Sequence, residues 1–460
     1  MDTSVIMRSI IKKFIVFGTV VFMLLTIYDS IYQTFIDNNS NDINNIVELT
    51  RINNSDNLIT FENMKNINNT QLGKMTAYSE LIGDVSNKFG FGEEKIKIVL
   101  IHEKYMSVYK KNMVAGLFPG SYETGQDYVA VSDCLSSKLF KSIDTIGNEV
   151  WILNRKYKVR GIYKRSDSML INLLGDGFDR VFIPYESVKD NQNRPVDVLT
   201  VRRDKGEALY DIESKLKADF GDKLAGYKIT DYSNIYNGLG LGNNLLLFFL
   251  GLIAIIYTIF FMIKYLLLLI QKLKLQGDYY YINSILRVEF KKIISVFLII
   301  IICSFVIVYI INLIRFNFYI NKDYIPDDNI FDLKFYFEQL LMDIKEKNMS
   351  NSSVYSYLKY TYHNALFLNI IINVFMLIFV IVSASFLKLL KTGGVAFKKL
   401  ILYILIIMVA GSLIGVVFSS AFGLKIAFPV KATTLITYFF FISGSLHKNN
   451  EFPFLGNSKN

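Results

Sequence analysis

The chain reads MVAGLF at 113–118, YVAVSDCLSSKLF at 128–140, IGNEVWI at 146–152, YKVRGIY at 157–163 and VFIP at 181–184, and this stretch decides the fold. Val129 and Val131 alternate with small residues, as they do in a short half-buried strand. Ser132 and Asp133 follow the strand, and both are residue types that cap a helix. The stretch therefore predicts a strand that leads directly into a helix.

The predicted helix and the strands after it complete a compact unit. Leu135, Leu139 and Phe140 share one face of the helix, which is expected to lie against a sheet. Gly147 turns the chain into two further alternating strands, with Asn154-Arg155 as the reversal between them. Strand, helix and hairpin in this order predict an α+β domain.

The order and spacing of these pieces resemble the extracytoplasmic core domain of MacB/FtsX-type ABC transporter permeases. The resemblance continues through shorter matches, the strand 199–202 and the helix 206–220, to about Tyr232. It implies a MacB-like domain outside the membrane, placed after a first membrane span. The alternative is a generic α+β domain that shares only strand and turn chemistry. The residues that carry the resemblance are Gly116, Phe118, Ser132, Leu139, Phe140, Gly147, Val159, Gly161, Ile162 and Pro184.

The composition indicates a membrane protein. Hydrophobic residues make up 52% of the 460 residues, and they are concentrated in blocks. The net charge of +10 does not indicate nucleic-acid binding, because the lysines cluster beside the apolar blocks, where they set orientation in a membrane. Cys134 lies in the predicted domain and Cys303 in an apolar block, so no disulfide framework is expected.

The first apolar block predicts an uncleaved membrane anchor at 10–29, preceded by a cytoplasmic N-terminus at 1–9. Basic residues come before the block, and no small-residue cleavage site follows it, which argues against a signal peptide. The MacB-like α+β extracytoplasmic domain is then predicted at 38–240. Within it, residues 38–70 are expected to form a polar lead-in with a short helix, and residues 72–235 the core.

Alternation of apolar and lysine-rich segments predicts five further transmembrane helices, although the last contains Pro429 and Lys431. The fold class is thus an integral membrane α-helical bundle of about six spans, with an α+β extracytoplasmic domain inserted between spans 1 and 2. The predicted boundaries are transmembrane helices at 243–271, 293–315, 364–388, 400–422 and 427–446, cytoplasmic loops at 272–292 and 389–399, an acidic extracytoplasmic loop at 316–363 with a helix around 331–344, and a cytoplasmic tail at 447–460.

Sequence signatures of catalysis and of cofactor binding are absent. No phosphate-binding loop occurs, so ATP hydrolysis is expected in a separate subunit, and neither a zinc-protease helix motif nor a Cys-x-x-Cys pair is present. His102, His363 and His447 are far apart in the sequence and are interpreted as surface or interfacial residues. Lys264 lies in the second predicted span and is expected to extend toward the inner face. We therefore predict no enzyme activity, no metal and no cofactor.

Two cytoplasmic loops are candidates for docking an ATPase, because permeases of the resembled family dock one on a short inside helix. We favour the loop that reads KTGGVAFKK at 391–399, whose candidate residues are Lys391, Gly393, Gly394, Phe397, Lys398 and Lys399. The rival loop, 272–292, follows the span that leaves the domain and carries Tyr281, Ile285 and Arg287 on an amphipathic segment. The plain alternative for either loop is that its lysines only set the topology.

Glycines further along the chain predict a close helix contact. Gly411 and Gly415 stand four residues apart in an apolar block, the small-xxx-small spacing that lets two membrane helices approach each other.

Permeases of the resembled family usually have four spans, so one hairpin of this chain would be additional to the family pattern.

The resemblance implies the permease subunit of an ABC transporter of the mechanotransmission kind, in the bacterial cytoplasmic membrane with its N-terminus inside. The expected partners are a separate ABC-type ATPase subunit, a second permease chain (like or unlike) and the lipid bilayer, but no nucleic acid. ATP hydrolysis in the partner would move the extracytoplasmic domains, which would act on a peptide, lipid or cell-wall client. The alternative is a membrane-anchored extracytoplasmic receptor or assembly protein without an ATPase partner.

Overall fold

The chain divides into two compact units. The computed structural model describes residues 3–38, 45–52, 55–66, 74–87, 93–120, 127–165, 168–188, 194–204, 206–277, 282–315 and 356–445, together with 334–335, 338 and 341. Described parts of 34–239 and 319–367 form one unit, the sheet domain. Described parts of 1–33, 240–318 and 368–460 form the other, the helical unit.

The described part of the sheet domain is built on one ten-stranded sheet. Its strands are β1 (Ile46–Arg51), β2 (Lys74–Asn87), β3 (Glu94–Ile101), β4 (Met113–Gly116), β5 (Tyr128–Ser132), β6 (Glu149–Ile152), β7 (Arg155–Tyr163), β8 (Asp179–Pro184), β9 (Val198–Arg202) and β10 (Tyr227–Asp231). The order across the sheet is β10-β1-β9-β2-β3-β8-β5-β7-β4, and β6 pairs with β2 and β7. The β3–β8 and β5–β7 pairs are parallel, so helical or looped crossovers connect their strands.

Short helices cover the sheet. They are α2 (Phe61–Asn66), α3 (Tyr105–Val108), α4 (Asp133–Phe140), α5 (Met169–Leu174) and α6 (Leu209–Phe220). In α4 the hydroxyl of Ser132 accepts a hydrogen bond from the backbone N–H of Leu135 at 3.0 Å, which confirms the predicted N-cap. Leu135 and Leu139 are buried against the sheet, whereas Phe140 is only partly buried.

The strands predicted from local alternation are present. Those expected around 129–131 and at 146–152, 157–163 and 199–202 correspond to β5, β6, β7 and β9. The hairpin between β6 and β7 turns one residue earlier than predicted. Leu153 and Asn154 both have positive φ, 51° and 58°, the values of a type I′ turn, and Arg155 already belongs to β7.

Residues 38–70 differ from the expected polar lead-in, because they supply an interior strand. The short helix is there, as α2, but β1 pairs antiparallel with β9 on one edge and with β10 on the other. Every residue of β1 from Ile46 to Thr50 is buried. The six residues of β1 lie in an Asn- and Asp-rich segment, and both partner strands come much later in the chain. The local sequence therefore did not indicate a strand in the sheet interior.

The helical unit contains six helices among its described residues: α1 (Thr3–Asn38), α7 (Tyr232–Gly277), α8 (Ile282–Ile314), α9 (Tyr357–Thr392), α10 (Phe397–Ala421) and α11 (Val430–Ser445). Of these, α1, α7 and α9 each have one end in the sheet domain. Five of the six contain a stretch long and apolar enough to cross a membrane. The 16 residues of α11 rise about 24 Å, less than the ~30 Å hydrocarbon core of a bilayer.

Two predicted segments fall mainly or wholly outside the described residues. The first is the acidic loop 316–363 with its predicted helix around 331–344. Within that helix, residues 334–335, 338 and 341 are described, and they are helical. The second is the tail 447–460. At the far end of the acidic loop, α9 begins at Tyr357, before the start of the span predicted at 364–388. The predicted domain of 38–240 therefore leaves out the first residues of α9, which belong to the sheet domain.

Glycines let α10 pack closely on α1. A Cβ at Gly411 would lie 2.8 Å from the Cβ of Phe22 and would collide with the carbonyl oxygen of Thr19. A Cβ at Gly415 would lie 2.7 Å from the Cβ of Thr26. The predicted small-xxx-small contact is thus confirmed, and its partner is α1.

Replacing Gly411 by Ala should destabilise the helical unit, because its methyl group would meet backbone that cannot move independently. We expect the Gly411→Ala variant to unfold about 4 °C or more below the wild type. Thermal denaturation of the purified chain in detergent, followed by size-exclusion chromatography, measures the change.

Gly444→Ala is the matched control. A Cβ there would lie 2.9 Å from the Cδ2 of Leu387, the tip of a flexible side chain that can rotate away. An equal loss of stability in the two variants would contradict the packing argument.

Candidate functional site

The favoured docking loop forms a tight turn between α9 and α10. Lys391 lies in the last turn of α9, Gly393 and Gly394 form the turn, and Phe397 begins α10. Gly394 has a φ of +83°, and a Cβ at Gly393 would collide with the side chain of Met7. Lys398 and Lys399 are exposed. The structure thus brings the six predicted residues together at one turn.

Phe397 is engaged within the helical unit. Its ring meets the ring of Phe441 edge-on at 5.3 Å between centroids, and the ammonium of Lys391 lies 5.4 Å from its centroid. The side chain is half-buried. Phe397 therefore contributes to internal packing as well as to the surface of the turn.

The rival loop joins α7 to α8. Tyr281 lies outside the described residues, and Ile285 and Arg287 belong to the first turns of α8. Close to this end, the buried carboxylate of Glu289 meets the ammonium groups of Lys272 at 3.4 Å and of Lys292 at 2.9 Å. This contact holds α7 and α8 together beside the loop.

A buried carboxylate in the sheet domain is the polar centre that the sequence analysis missed. Glu48, in the middle of β1, has no exposed surface. Its Oε1 accepts a hydrogen bond from the hydroxyl of Tyr109, and its Oε2 accepts bonds from Tyr232 and Ser356, each at 2.6 Å. The donors come from the end of α3, the first residue of α7 and the residue before α9. One carboxylate thus links an interior strand to the starts of two long helices.

Ser356 has two roles at this centre. Its Oγ accepts a hydrogen bond from the backbone N–H of Lys359 at 3.1 Å and so caps α9. Its hydroxyl group donates a hydrogen bond to Glu48. Burial raises the pKa of Glu48, and the hydrogen bonds from Ser356, Tyr109 and Tyr232 and the nearby charge of Lys359 oppose that rise. The start of α9 is therefore held both by its own cap and by a group of the sheet.

A network of charges lies elsewhere in the sheet domain, where β2, β3 and β8 adjoin. The ammonium of Lys97 lies 3.0 Å from Glu80 and 2.7 Å from Asp176. The guanidinium of Arg180 contacts the same two carboxylates and lies 4.2 Å from the ring centroid of Tyr357. The contact with Tyr357 is a cation–π interaction with the first residue of α9.

One sequence signal could have indicated Glu48. An acid between Val47 and Leu49 in an apolar run must be exposed on one face of its strand or be paired inside the protein. Alternation alone favours the exposed position, and Tyr232 and Ser356 are too far away in sequence to suggest the paired one. Among the described residues, no group of three or more His, Cys, Asp or Glu side chains could hold a metal ion.

Comparison with known proteins finds one family that matches part of the chain. Residues 15–219 match the MacB-like periplasmic core domain, a range that begins within α1 and ends within α6. No curated protein matches the chain. This segment is thus similar to MacB-like periplasmic core domains.

Solved structures similar to the chain include two domains of transporters. One is the periplasmic region of MacB from Actinobacillus actinomycetemcomitans, at 16% identity over 44% of this chain and 94% of that one, with a TM-score of 0.35. The other is the extracellular domain of the noncanonic ABC-type transporter YknZ from Gram-positive bacteria, at 17% identity over 40% of this chain and 100% of that one, with a TM-score of 0.33.

Replacing Glu48 by Gln should change stability in a pH-dependent way. Because burial raises the pKa of Glu48 above its ordinary value of 4.5, the native protein holds the carboxyl proton more tightly than the unfolded chain does. The stability of the wild type relative to Glu48→Gln should therefore be greatest below pH 4.5 and fall as the pH rises through the native pKa. Thermal unfolding midpoints of the full chain, measured between about pH 4 and about pH 8, give this difference.

Glu207→Gln is the control for the sign. A hydrogen bond from Lys215 lowers the pKa of Glu207. The stability of the wild type relative to Glu207→Gln should therefore increase as the pH rises. Parallel pH profiles for the two variants would show that Glu48 is not a carboxyl with a raised pKa.

Proposed function

We propose that this chain, whose residues 15–219 match the MacB-like periplasmic core domain, is the permease subunit of an ABC transporter of the mechanotransmission kind. In this proposal a separate ATPase subunit docks on a cytoplasmic loop, and a second permease chain completes the transporter. ATP hydrolysis moves the extracytoplasmic domains, which act on a peptide, lipid or cell-wall client. The family match and the five long apolar helices support the proposal.

The observation that carries the proposal is the attachment of helix starts to the sheet. A mechanical coupling needs a stiff connection between a moving helix and the domain that does the work. Leaving a buried donor or acceptor without its hydrogen bond costs about 1–3 kcal/mol, and Glu48 accepts one bond from Tyr232 of α7 and one from Ser356 beside α9. A displacement of either helix start would therefore have to move β1 or break a buried contact.

The proposed orientation has the N-terminus and the lysine-rich turns in the cytoplasm, with the sheet domain outside. A single cysteine at Lys158, an exposed residue of β7, should react with a membrane-impermeant maleimide added to intact cells. A cysteine at Thr392, at the end of α9, should react only after the membrane is permeabilised. Both are made in a background in which Cys134 and Cys303 are Ser. Labelling of Thr392→Cys in intact cells would overturn the topology of the last spans.

ATPase docking can be tested at Ala396 without disturbing the fold. Ala396 is the exposed N-cap of α10 and makes no side-chain capping bond, so Asp and Asn are both suited to the position. Only Asp adds a charge, which an interface would have to desolvate. We expect Ala396→Asp to reduce co-purification of the proposed ATPase subunit about tenfold and Ala396→Asn to leave it near the wild-type level.

The same pair at Ile285 tests the rival loop. A selective effect of Ile285→Asp over Ile285→Asn, with Ala396→Asp silent, would assign docking to 272–292. If none of the four variants affects ATPase co-purification or ATP-dependent activity, the permease proposal fails. A membrane-anchored receptor or assembly protein would then account better for the same domain.

A further inference from the structure

A polar cavity of about 190 Å³ lies within the sheet domain. At ~30 Å³ for each water molecule, it has room for about six waters, more than a small oxyanion would displace. Its walls come from the segment after α3, the end of β7, the segment from α5 to β8 and the first turns of α9. Five basic residues line it: Lys110, Lys111, Lys164, Arg165 and Arg180.

The two carboxylates that line the cavity are already held by other cations. Asp176 accepts from Lys97 at 2.7 Å and from Arg180 at 3.0 Å. Asp179, the first residue of β8, accepts hydrogen bonds from Arg165 and from Lys138, each at 2.9 Å. Each acid of the described lining thus already has two cationic partners, and neither of them contacts Lys111.

Lys111 is the basic residue of the lining for which the described part of the structure shows no carboxylate in contact. Within the described residues its side chain makes neither an ion pair nor a hydrogen bond, and its ammonium lies 5.7 Å from the ring centroid of Phe182. Burial, helped by the positive charge of Arg180 and opposed by the carboxylate of Glu80, lowers the pKa of Lys111 to about 8. The other titratable groups that line the cavity are Lys110, Tyr163, Lys164, Arg165, Asp176, Asp179, Tyr357 and Tyr362.

We propose that this cavity binds a small oxyanion, such as a phosphate group, with Lys111 as its principal charged contact. The basic lining supplies charge complementary to an oxyanion, and Lys111 is a lining cation that forms no ion pair with a carboxylate of the described residues. An oxyanion beside an ammonium favours the charged form of both groups. The phosphate is either free in solution or carried by a lipid headgroup.

An occupant of the cavity would contact the start of α9. Tyr357, the first residue of α9, lines the cavity and lies under the guanidinium of Arg180, while its neighbour Ser356 donates to Glu48. Binding would thus stabilise the same helix start that Glu48 holds. The proposal stands without an ATPase, so its test is independent of the docking experiments.

The experiment measures the acylation of lysines in the full-length chain by a brief acetic anhydride pulse, read by mass spectrometry. The chain is placed in micelles of a phosphate-free maltoside detergent at about pH 8, where Lys111 is partly deprotonated, with inorganic phosphate or with chloride at equal ionic strength. If phosphate raises the pKa of Lys111 by about one unit, its acylation should slow about fivefold. Lys158, exposed on β7 and away from the cavity, should not change.

A second arm adds phosphatidylglycerol to the detergent micelles and omits free phosphate. Protection of Lys111 by free phosphate assigns the site to a soluble anion, and protection only by phosphatidylglycerol assigns it to a lipid headgroup. The proposal is overturned if neither protects Lys111, or if Lys158 is protected equally.

Variants give a second readout that does not use Lys111 as the reporter. The protecting anion should raise the thermal unfolding midpoint of the wild type, since it binds only the native state. Lys111→Gln should abolish the rise, Lys111→Arg should retain most of it, and Lys158→Gln should leave it unchanged. An undiminished rise in Lys111→Gln would also overturn the proposal.

Discussion

Burying the carboxylate of Glu48 constrains the whole sheet domain. A charge or a polar carboxyl group removed from water is tolerated only where donors stand at fixed positions around it. Tyr109, Tyr232 and Ser356 supply those donors from three segments that are distant in sequence. The interior position of β1, the start of α7 and the start of α9 must therefore be correct together. Misplacing any one of them leaves a buried group without its partner.

The parts of the fold that the sequence predicted are those set by local physics. Alternation over a few residues, a Ser N-cap and a glycine turn predicted β5, β6, β7 and α4, which lie close to their expected ranges. Strand β1 was missed because its stability comes from pairing with β9 and β10, and nothing within its six residues indicates either partner. The place of Ser356 in the sheet domain was missed for the same reason: a single hydroxyl–carboxylate bond leaves no periodic pattern.

The candidate docking turn shows a different limit of sequence reasoning. An aromatic residue between lysines, as at Phe397, reads equally well as an anchor for a partner and as part of an internal core. The contact with Phe441 gives Phe397 an internal role. The lysines at the other loop also have two possible roles. Lys272 and Lys292 contact Glu289, and their charge is also the basis of the predicted orientation in the membrane. Composition alone cannot separate such roles, since the same side chain can serve both.

Two successive residues place the most sensitive point of the proposed mechanism at the start of α9. Ser356 is bound to the carboxylate of Glu48, and Tyr357 lies against the guanidinium of Arg180. Arg180 is in turn held by Glu80 and Asp176. A shift of this helix start by even one side-chain diameter would break a buried hydrogen bond and a cation–π contact at once, because packed polar groups have few intermediate arrangements. Coupling through α9 would therefore be two-state rather than gradual, and an anion in the adjoining cavity would favour the state in which both contacts are made.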